Sequence, residues 1–351
     1  MEGEPIVKIL LIGFKLDHGR TSECSVNLKL GFEKLGHEVI HVSPEEILHG
    51  MDYHQVNRHR AWKEPLSIRD IKLGILPVDD VDFIFIVQNY LHFDKEEDFC
   101  YPIAYFHNED YCGPSILNAD VNFICQPYYK EFWKTFYPWS YANAPIHLSP
   151  PAVHPELWTP EEKIYKGLSY LTDNAVEENL EKRDWIWNEH YKHKEFFHDK
   201  THLYDHYWGG EQGSRSPYEK RTKFTLPFDK FKEILQKCER IAYIPVDHVP
   251  YSRRLFEAAA CNTKLRIYCH YRDLEYYKAL YGDVPVDEYE EDIGCTTVVG
   301  EYYTIDIDKG RDWVMANHTY EHRCKDIIEK VQQHVSKQKK LAASTAAEHG
   351  N

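Results

Sequence analysis

The sequence predicts an α/β protein with two domains, each built around a doubly wound parallel sheet. Three observations support this prediction: a length of 351 residues, apolar strand segments that alternate with amphipathic helices, and a Pro- and aromatic-rich interruption at 137–160. Domains typically contain about 100–200 residues, so the chain has room for two. Apolar runs that alternate with helices are typical of parallel sheets covered on both faces.

The first βαβ unit lies near the start of the sequence. Ile6–Phe14 is a continuous apolar run, as expected for a buried parallel strand. Ser25–Leu35 has apolar residues at helical spacing, and Gly36 can end this helix in the left-handed conformation. Residues 37–42 form the next strand, and this order requires a parallel pair.

The alternation continues on both sides of the interruption. The further strand candidates before it are Val81–Gln88, Pro102–Asn108 and Val121–Gln126, and those after it are 167–172, 202–209, 241–246, 264–269 and 296–300. Helices are predicted at 175–197 and, rich in alanine, at 252–262. We therefore predict an N-terminal domain at 1–150, a C-terminal domain at 151–310, a helix at 311–340 that packs back toward the N-terminal domain, and a flexible tail at 341–351.

Composition excludes several classes of protein. The chain has 42 Lys+Arg against 57 Asp+Glu, and its net charge of -15 argues against a protein that coats nucleic acid with a generally basic surface. A local basic groove is compatible with this net charge. No stretch approaches the roughly 18 apolar residues of a membrane span, and the start has no signal-peptide pattern. Nine cysteines without C-x-x-C spacing indicate free thiols and a cytoplasmic protein, and we expect Cys125, Cys261 and Cys269 to be buried and inert.

Two charged residues open the alanine-rich helix that follows the strand at 241–246. Arg254 and Glu257 both fall in its first turns, where the helix dipole and free N–H groups favour phosphate. Arg254 can grip a diphosphate with two hydrogen bonds, and Glu257 can accept two ribose hydroxyls. The alternative is an Arg–Glu pair that only caps the helix.

Four segments, in order, resemble the GT-B glycosyltransferases, and most closely their CgeB-like group. Residues 254–268 (RLFEAAACNTKLRIY) resemble the donor-binding pattern R-x-F-E-A-x-A-x-G, and Asn317–Ile328 resembles the closing H-T-Y-x-H-R helix. Residues 31–42 resemble the N-terminal helix and strand, and 148–160 resemble the crossover between domains. The resemblance extends from about residue 6 to 330. It implies a GT-B fold, with two Rossmann-like domains whose parallel sheets face across a cleft.

The resemblance also implies a nucleotide-sugar site in the C-terminal half. Glu257 would bind the ribose and Arg254 the diphosphate of the donor, a UDP-sugar. The other donor-binding residues predicted are Gly13, Arg183, Tyr251 and Ser252. Two positions depart from the family pattern, because Val249 replaces a second glutamate and Asn262 replaces a glycine. Asparagine tolerates the left-handed conformation, so we expect the turn at Asn262 to survive.

The catalytic base must deprotonate an acceptor hydroxyl, and the resemblance places it in the N-terminal half. Candidates at the carboxyl ends of predicted strands are Asp17, His18, His107, Glu109 and Asp110. We prefer Asp110 or His107, with His18 as a further candidate. The alternative for each is a residue that caps a loop.

Two patterns could in principle bind a metal, and we assign neither. Asp306-Ile307-Asp308 is a D-x-D in a predicted loop, and His198, His202 and His206 have helical spacing. Three-residue acidic matches are common, and the tyrosines and tryptophan near the histidines suggest that the helix has ended. We predict a metal-independent transferase with no tightly bound cofactor.

A basic cluster in the N-terminal half is the candidate acceptor site. It contains Arg58, Arg60, Trp62 and Lys63. One hypothesis is that these residues form a solvated polar surface with no binding role. A second hypothesis is that they line a groove for duplex DNA with hydroxymethylated bases (hydroxymethylcytosine). This hypothesis is suggested by a resemblance to phage DNA glycosyltransferases, which have a similar fold, length and R-x-[aromatic]-E element. A third hypothesis is a non-catalytic protein that keeps the GT-B shell. The residues leave the sugar, the acceptor, the stereochemistry and the oligomeric state open.

Overall fold

Segments from both halves of the chain are described in a computed structural model. The described residues are 5–13, 15, 20–47, 66–67, 81–87, 93–94, 101–107, 116–117, 119–127, 144–172, 203–205, 223–224, 228–243, 250–282, 286–289 and 302–349. The chain forms two compact units. The first unit comprises 1–150 together with 320–351, and the second comprises 151–319.

The first unit contains a six-stranded sheet in which every strand is parallel to its neighbours. Its strands are Lys8–Ile12 (β1), Glu38–Val42 (β2), Phe83–Val87 (β4), Ile103–His107 (β6), Val121–Ile124 (β8) and Ile146–Leu148 (β9). Their order is β2-β1-β4-β6-β8-β9, so the chain reverses direction across the sheet between β1 and β4. This arrangement confirms the predicted doubly wound parallel sheet. Such a reversal point is where open α/β sheets bind ligands.

Apolar strands and one helix form the core of the first unit. Every residue of β4 and β6 is buried. On one face of the sheet the rings of Phe83, Phe106 and Phe123 each make edge contacts with Phe85. Phe32, from helix Arg20–Lys34 (α1), also meets Phe85 edge-on at 5.8 Å. Such edge contacts between aromatic rings add to the free energy of burial.

Three two-residue strands form a small separate sheet in the first unit. They are Leu66–Ser67 (β3), Phe93–Asp94 (β5) and Ile116–Leu117 (β7), and their pairing is parallel. A single-turn helix, Pro44–Ile47 (α2), follows β2.

The second unit contains a seven-stranded mixed sheet. Its strands are Tyr165–Thr172 (β10), Leu203–Asp205 (β11), Lys223–Phe224 (β12), Cys238–Tyr243 (β13), Lys264–His270 (β14), Val286–Tyr289 (β15) and Tyr302–Ile307 (β16), in the order β12-β11-β10-β13-β14-β16-β15. The first five strands of this order are parallel. However, β16 is antiparallel to both β14 and β15, so the predicted parallel sheet of this unit ends in an antiparallel edge.

Helices on the second unit's sheet are Phe228–Lys237 (α3), Arg253–Ala260 (α4), Tyr271–Tyr281 (α5) and Gly310–Asn317 (α6). The last helix, Tyr320–His349 (α7), belongs to the first unit. The sequence predicted one helix over 311–340, but α6 and α7 are separate. The chain leaves the helical conformation at His318 (φ -131°, ψ 31°), and Thr319 then pairs with Val153.

The last helix packs against α1 within the first unit. Cys324 donates its thiol hydrogen to the carbonyl oxygen of Leu28, with 3.3 Å between sulfur and oxygen. Gly31 permits this approach, because a Cβ atom there would lie 2.7 Å from the Cys324 sulfur. Helical backbone continues to His349, through most of the segment that was expected to be a tail. Within the described residues, every helix is too short or too polar to span a lipid bilayer.

The D-x-D sequence lies at the end of a strand and forms ion pairs: Asp306 and Ile307 belong to β16, and Asp308 directly follows it. Asp306 lies in β16 and accepts two hydrogen bonds from Arg266 on β14, at 2.9 and 2.6 Å. Asp308 pairs with Lys264 at 2.8 Å. Burial raises the pKa of Asp306. The hydrogen bonds and the positive charge of Arg266 have the opposite and larger effect, so this pKa lies below its usual value. The pair of Asp306 therefore joins β16 to β14, and the pair of Asp308 fixes the residue after β16 to the start of β14.

The turn at Asn262 has the expected left-handed backbone, with φ at 55°. The asparagine side chain also accepts a hydrogen bond from the backbone N–H of Arg311 at 2.7 Å, which caps the start of α6. We predict that Asn262→Gly destabilises the protein by less than about 1 kcal/mol, because glycine keeps the backbone and loses only the cap. Asn262→Ala should cost about 2 kcal/mol, because alanine loses the cap and also resists positive φ.

Urea unfolding of the two Asn262 variants beside the parent protein tests this order. Equal stability of the alanine and glycine variants would contradict the role assigned to the left-handed backbone.

Candidate active site

Helix α4 begins at the carboxyl edge of the second unit's sheet. It follows β13, and the chain changes direction across this sheet between β10 and β13. Loops at this edge and at this reversal point are the usual ligand sites of doubly wound sheets. The topology therefore places the first turn of α4 where a ligand site is expected.

The start of α4 is fixed by three hydrogen bonds. Ser252 is the N-cap, and its hydroxyl accepts from the backbone N–H of Arg254 at 3.3 Å. The Tyr251 hydroxyl donates to the carbonyl of Tyr276 at 2.8 Å, and the Tyr277 hydroxyl donates to the carbonyl of Pro250 at 2.8 Å. Burial raises the pKa of Tyr251 to about 12, so its hydroxyl remains a donor at neutral pH. These bonds join the entry to α4 to helix α5.

The body of α4 is buried, and its small side chains allow close packing. Ala258, Ala259 and Ala260 lie inside the core of the second unit with Leu255 and Phe256. The Phe256 ring stacks on Trp313 of α6 with a centroid separation of 5.8 Å and nearly parallel planes. The alanine run is therefore explained by packing of α4 against its neighbours.

Two cations hold the carboxyl-terminal ends of helices α3 and α4. The Lys163 ammonium donates to the carbonyls of Gln236 and Cys261, at 2.8 and 2.7 Å, and to the Thr263 hydroxyl at 2.8 Å. The Arg311 guanidinium donates to the Ala260 carbonyl at 3.1 Å. A cation at a helix carboxyl end satisfies carbonyl groups and opposes the helix dipole. Both ends of α4 are therefore held by side chains.

Charged side chains lie almost completely buried in the first turns of α4. Arg254 is 4% exposed and Glu257 is 3% exposed. A buried charge is costly unless it is paired, and such groups are typical of functional sites. The Nε–H of Arg253 donates to the Glu257 carboxylate at 2.9 Å, and the Arg253 side chain is 25% exposed. This contact fixes the direction of the Glu257 carboxylate.

Sequence reasoning missed Arg253. Its i,i+4 spacing to Glu257 was the available signal, because residues four apart face each other on a helix. The prediction used the adjacent Arg254 instead, because Arg254 matches the family pattern. Arg253, Arg254 and Glu257 together place charges of both signs in one helical segment.

Gly13 follows β1, and packing alone accounts for a glycine there. A Cβ atom at this position would lie 2.6 Å from the Cβ atom of Ser25 in α1. The Gly13 N–H donates to the Val42 carbonyl at 3.0 Å, and the His41 Nε2 atom lies 3.0 Å from the Gly13 carbonyl oxygen. Burial lowers the pKa of His41 to about 4, so the neutral ring donates to that carbonyl. Sequence reasoning did not identify His41.

His107 ends β6 and is fully buried. Its ring lies against Tyr105, with centroids 4.1 Å apart. Burial lowers the pKa of His107 to about 3, and the nearby Asn122 amide acts in the opposite direction with a smaller effect. A general base works best with a pKa near the working pH, so this environment makes His107 a weak base.

The described part of the chain brings four predicted donor residues together at the start of α4: Tyr251, Ser252, Arg254 and Glu257. Gly13 and His107 lie at the carboxyl ends of β1 and β6 in the first unit. Other candidates lie outside the described residues, namely Asp17, His18, Arg58, Arg60, Trp62, Lys63, Glu109, Asp110, Arg183, Val249, His198, His202 and His206.

Six cysteines among the described residues are buried: Cys24, Cys125, Cys238, Cys261, Cys269 and Cys324. Burial raises the pKa of Cys261 and of Cys269 to about 12, so both thiols stay protonated at neutral pH. The prediction of buried cysteines is confirmed for Cys125, Cys261 and Cys269.

Comparison with solved structures finds the same fold in proteins of very different sequence. A sucrose-phosphate synthase from Thermosynechococcus elongatus matches with a TM-score of 0.54 and 10% identity, over 94% of this chain and 99% of that chain. A glycosyltransferase from Rickettsia africae also matches with a TM-score of 0.54, at 9% identity, over 95% of this chain and 99% of that chain. No family model matches the chain, and no curated protein matches its sequence.

A weaker similarity, with a TM-score of 0.48, is to an alpha-glucosyltransferase in complex with UDP-glucose and DNA containing an abasic site. It is 12% identical and covers 74% of this chain and 79% of that chain. The two stronger matches extend over nearly the whole of each protein. The chain therefore has the α/β fold of GT-B glycosyltransferases, with Rossmann-like units.

Proposed function

We propose that this protein is a glycosyltransferase that moves a sugar from a nucleotide-sugar, a UDP-sugar, to an acceptor hydroxyl. The buried Arg254 and Glu257 at the start of α4 carry this proposal, because they occupy the carboxyl edge of the second unit's sheet. The fold supports it, since one of the stronger structural matches is itself named a glycosyltransferase. The resemblance of 254–268 to the donor-binding segment of the CgeB-like group supports it independently of the fold.

The donor would bind to the second unit through complementary chemistry. The Glu257 carboxylate, held by Arg253, would accept hydrogen bonds from the two ribose hydroxyls. The Arg254 guanidinium and the amino-terminal end of α4 would stabilise the negative diphosphate, which is also the leaving group. Arg183 is the second proposed diphosphate ligand. Positive protein groups at the leaving group are the basis for proposing a reaction without a metal ion.

The acceptor would bind to the first unit, where Asp110 and His18 are the proposed bases. His107 is the less suitable candidate, because burial has lowered its pKa to about 3. Gly13 lies at the start of the loop proposed to approach the sugar. Buried thiols support a location in the reducing cytoplasm.

Two alternatives concern the acceptor and the activity itself. Duplex DNA with hydroxymethylated cytosine is the alternative acceptor, and Arg58, Arg60, Trp62 and Lys63 would then contact it. A GT-B-like structural protein without activity is the second alternative. Both predict distinct ligand responses.

A thermal-shift panel of nucleotides and nucleotide-sugars tests the proposed function. A ligand that binds only the native state raises its stability, by about 2.7 kcal/mol at a concentration 100 times Kd. We expect UDP and one UDP-sugar to raise Tm, and the effective sugar identifies the donor. Adenine and guanine nucleotides at equal concentration are the matched controls.

The same panel, repeated with plain and hydroxymethylated duplex DNA, separates the alternatives. A further rise in Tm with the hydroxymethylated duplex alone would favour the DNA acceptor. No response to any nucleotide at millimolar concentration would contradict the enzyme and favour the structural protein.

A further inference from the structure

The distal half of α7 is basic in a chain that is otherwise strongly acidic. The whole chain has a net charge of -15, yet residues 331–347 contain no Asp or Glu. Lys337, Lys339 and Lys340 lie in this stretch, which we call the basic segment, and all three are exposed. The basic segment is therefore a local positive surface.

Several other lysines in the described helices and strands have an acidic partner. Lys29, Lys264 and Lys278 each lie within 2.8 Å of a carboxylate oxygen. By contrast, the side chains three and four positions from Lys337, Lys339 and Lys340 are uncharged or are another lysine. The helix therefore offers these ammonium groups no acidic neighbour of its own.

The spacing of Lys337 and Lys340 adds repulsion. Residues three apart on a helix are neighbours, and two like charges at this spacing repel each other. The three lysines therefore lie close together on the helix, and no acidic residue lies at helical spacing to offset their charge. An external anion that lies against the three lysines would reduce this repulsion.

We infer that the basic segment is a docking surface for the phosphate backbone of a nucleic acid. Duplex DNA has one negative charge per about 1.7 Å of its axis, which is dense enough for neighbouring lysines to contact separate phosphates. The three lysines fall within one turn of helix, about 4.5 Å of its axis at a rise of about 1.5 Å per residue, so they can contact two or three neighbouring phosphates. Lysine ammonium groups on flexible stems suit such contacts, which need charge more than fixed geometry.

A membrane surface fits the basic segment less well. Helices that lie in a lipid interface bury a face rich in Trp, Phe or Leu. The segment has no aromatic residue, and Leu341 is its one large exposed apolar side chain, at 63%. A nucleic acid needs no apolar face, and so the composition favours it.

Docking through the basic segment does not rest on the proposed transferase activity. No residue of the donor site takes part, and binding can be measured without a nucleotide-sugar. A failure of the donor site would therefore leave this inference intact, and the reverse is also true.

The test measures binding of the full chain to a short fluorescent DNA duplex by anisotropy, between about 50 and 200 mM salt. Each phosphate contact contributes about -0.9 to the slope of log K against log salt concentration, so three contacts weaken affinity by about 40-fold over this range. We expect the K337Q/K339Q/K340Q variant to lose roughly 2–3 from the magnitude of this slope. Glutamine is a good helix former, so the helix should remain.

A matched control removes the same charge elsewhere. The K8Q/K264Q/K278Q variant takes three lysines that lie beside carboxylates and should keep the parent slope. Equal losses in both variants would show a general charge effect and overturn the inference. Absence of DNA binding by the parent protein, or tighter lysine-dependent binding to phosphatidylserine vesicles than to DNA, would also overturn it.

Discussion

Glu257→Gln should weaken UDP binding by about 100-fold while the protein stays folded. In the proposed site the carboxylate accepts two ribose hydroxyls, and hydrogen bonds to charged groups are worth about 1.5–3 kcal/mol each. Glutamine has the same shape, but it replaces one acceptor oxygen with a donor. It keeps an oxygen for the Nε–H of Arg253, which lies 2.9 Å from the native carboxylate. Isothermal titration calorimetry with UDP measures the loss.

The ribose contact can be separated from a general loss of the site by changing the ligand. With 2′-deoxy-UDP the parent protein should bind more weakly, and Glu257→Gln should then cost much less than it does with UDP. Arg253→Gln should weaken UDP binding by about tenfold, because it removes one charge-assisted bond that orients Glu257. Unchanged UDP affinity in Glu257→Gln, or equal losses with both nucleotides, would show that the ribose assignment is wrong.

The parallel core was predictable because buried strands have a simple sequence pattern. Both faces of a parallel sheet are covered, so β1, β4 and β6 are almost continuous apolar runs. The helix between β1 and β2 has periodic apolar residues, of which Leu28 and Phe32 are buried. Burial on every side thus gives a local signal that needs no knowledge of distant residues.

The antiparallel part of the second unit's sheet has no such local signal. Strand β16 lies beside β14 because of pairing across some forty residues, for example between Arg266 and Asp306. Read locally, Asp306-Ile307-Asp308 looks like an acidic loop motif. Only the partner cations, which come from another strand, show that these carboxylates are structural.

The candidate site shows a similar division. The left-handed turn at Asn262 followed from the chemistry of one residue, and the structure confirms it. Gly13 was also predicted to be important, but the sequence alone does not identify the neighbouring atom that requires a glycine there. Ser25, twelve residues later, supplies the close contact. A residue type is a local property, whereas the atom that it must avoid depends on the fold.

Gly31→Ala should destabilise the first unit by about 1–3 kcal/mol, against the intrinsic preference of the helix. In an isolated helix alanine is favoured over glycine by about 1 kcal/mol, so propensity alone predicts a more stable protein. Here the new Cβ atom would lie 2.7 Å from the Cys324 sulfur and 3.1 Å from the Tyr320 carbonyl oxygen. Overpacking of this kind typically costs about 1–3 kcal/mol. Thermal unfolding should show a Tm lower by several degrees.

Cys324→Ala provides the second arm of a double-mutant cycle. Removing the sulfur eliminates the shortest contact, so Gly31→Ala should cost less in the Cys324→Ala background than in the parent protein. Recovery should be partial, because the Tyr320 backbone oxygen still faces the new methyl group and cannot be removed by mutation. A higher Tm in Gly31→Ala alone would mean that helix propensity prevails and that α1 and α7 are not in close contact at Gly31. Independent, additive effects of the two substitutions would lead to the same conclusion, because residues in contact are expected to couple.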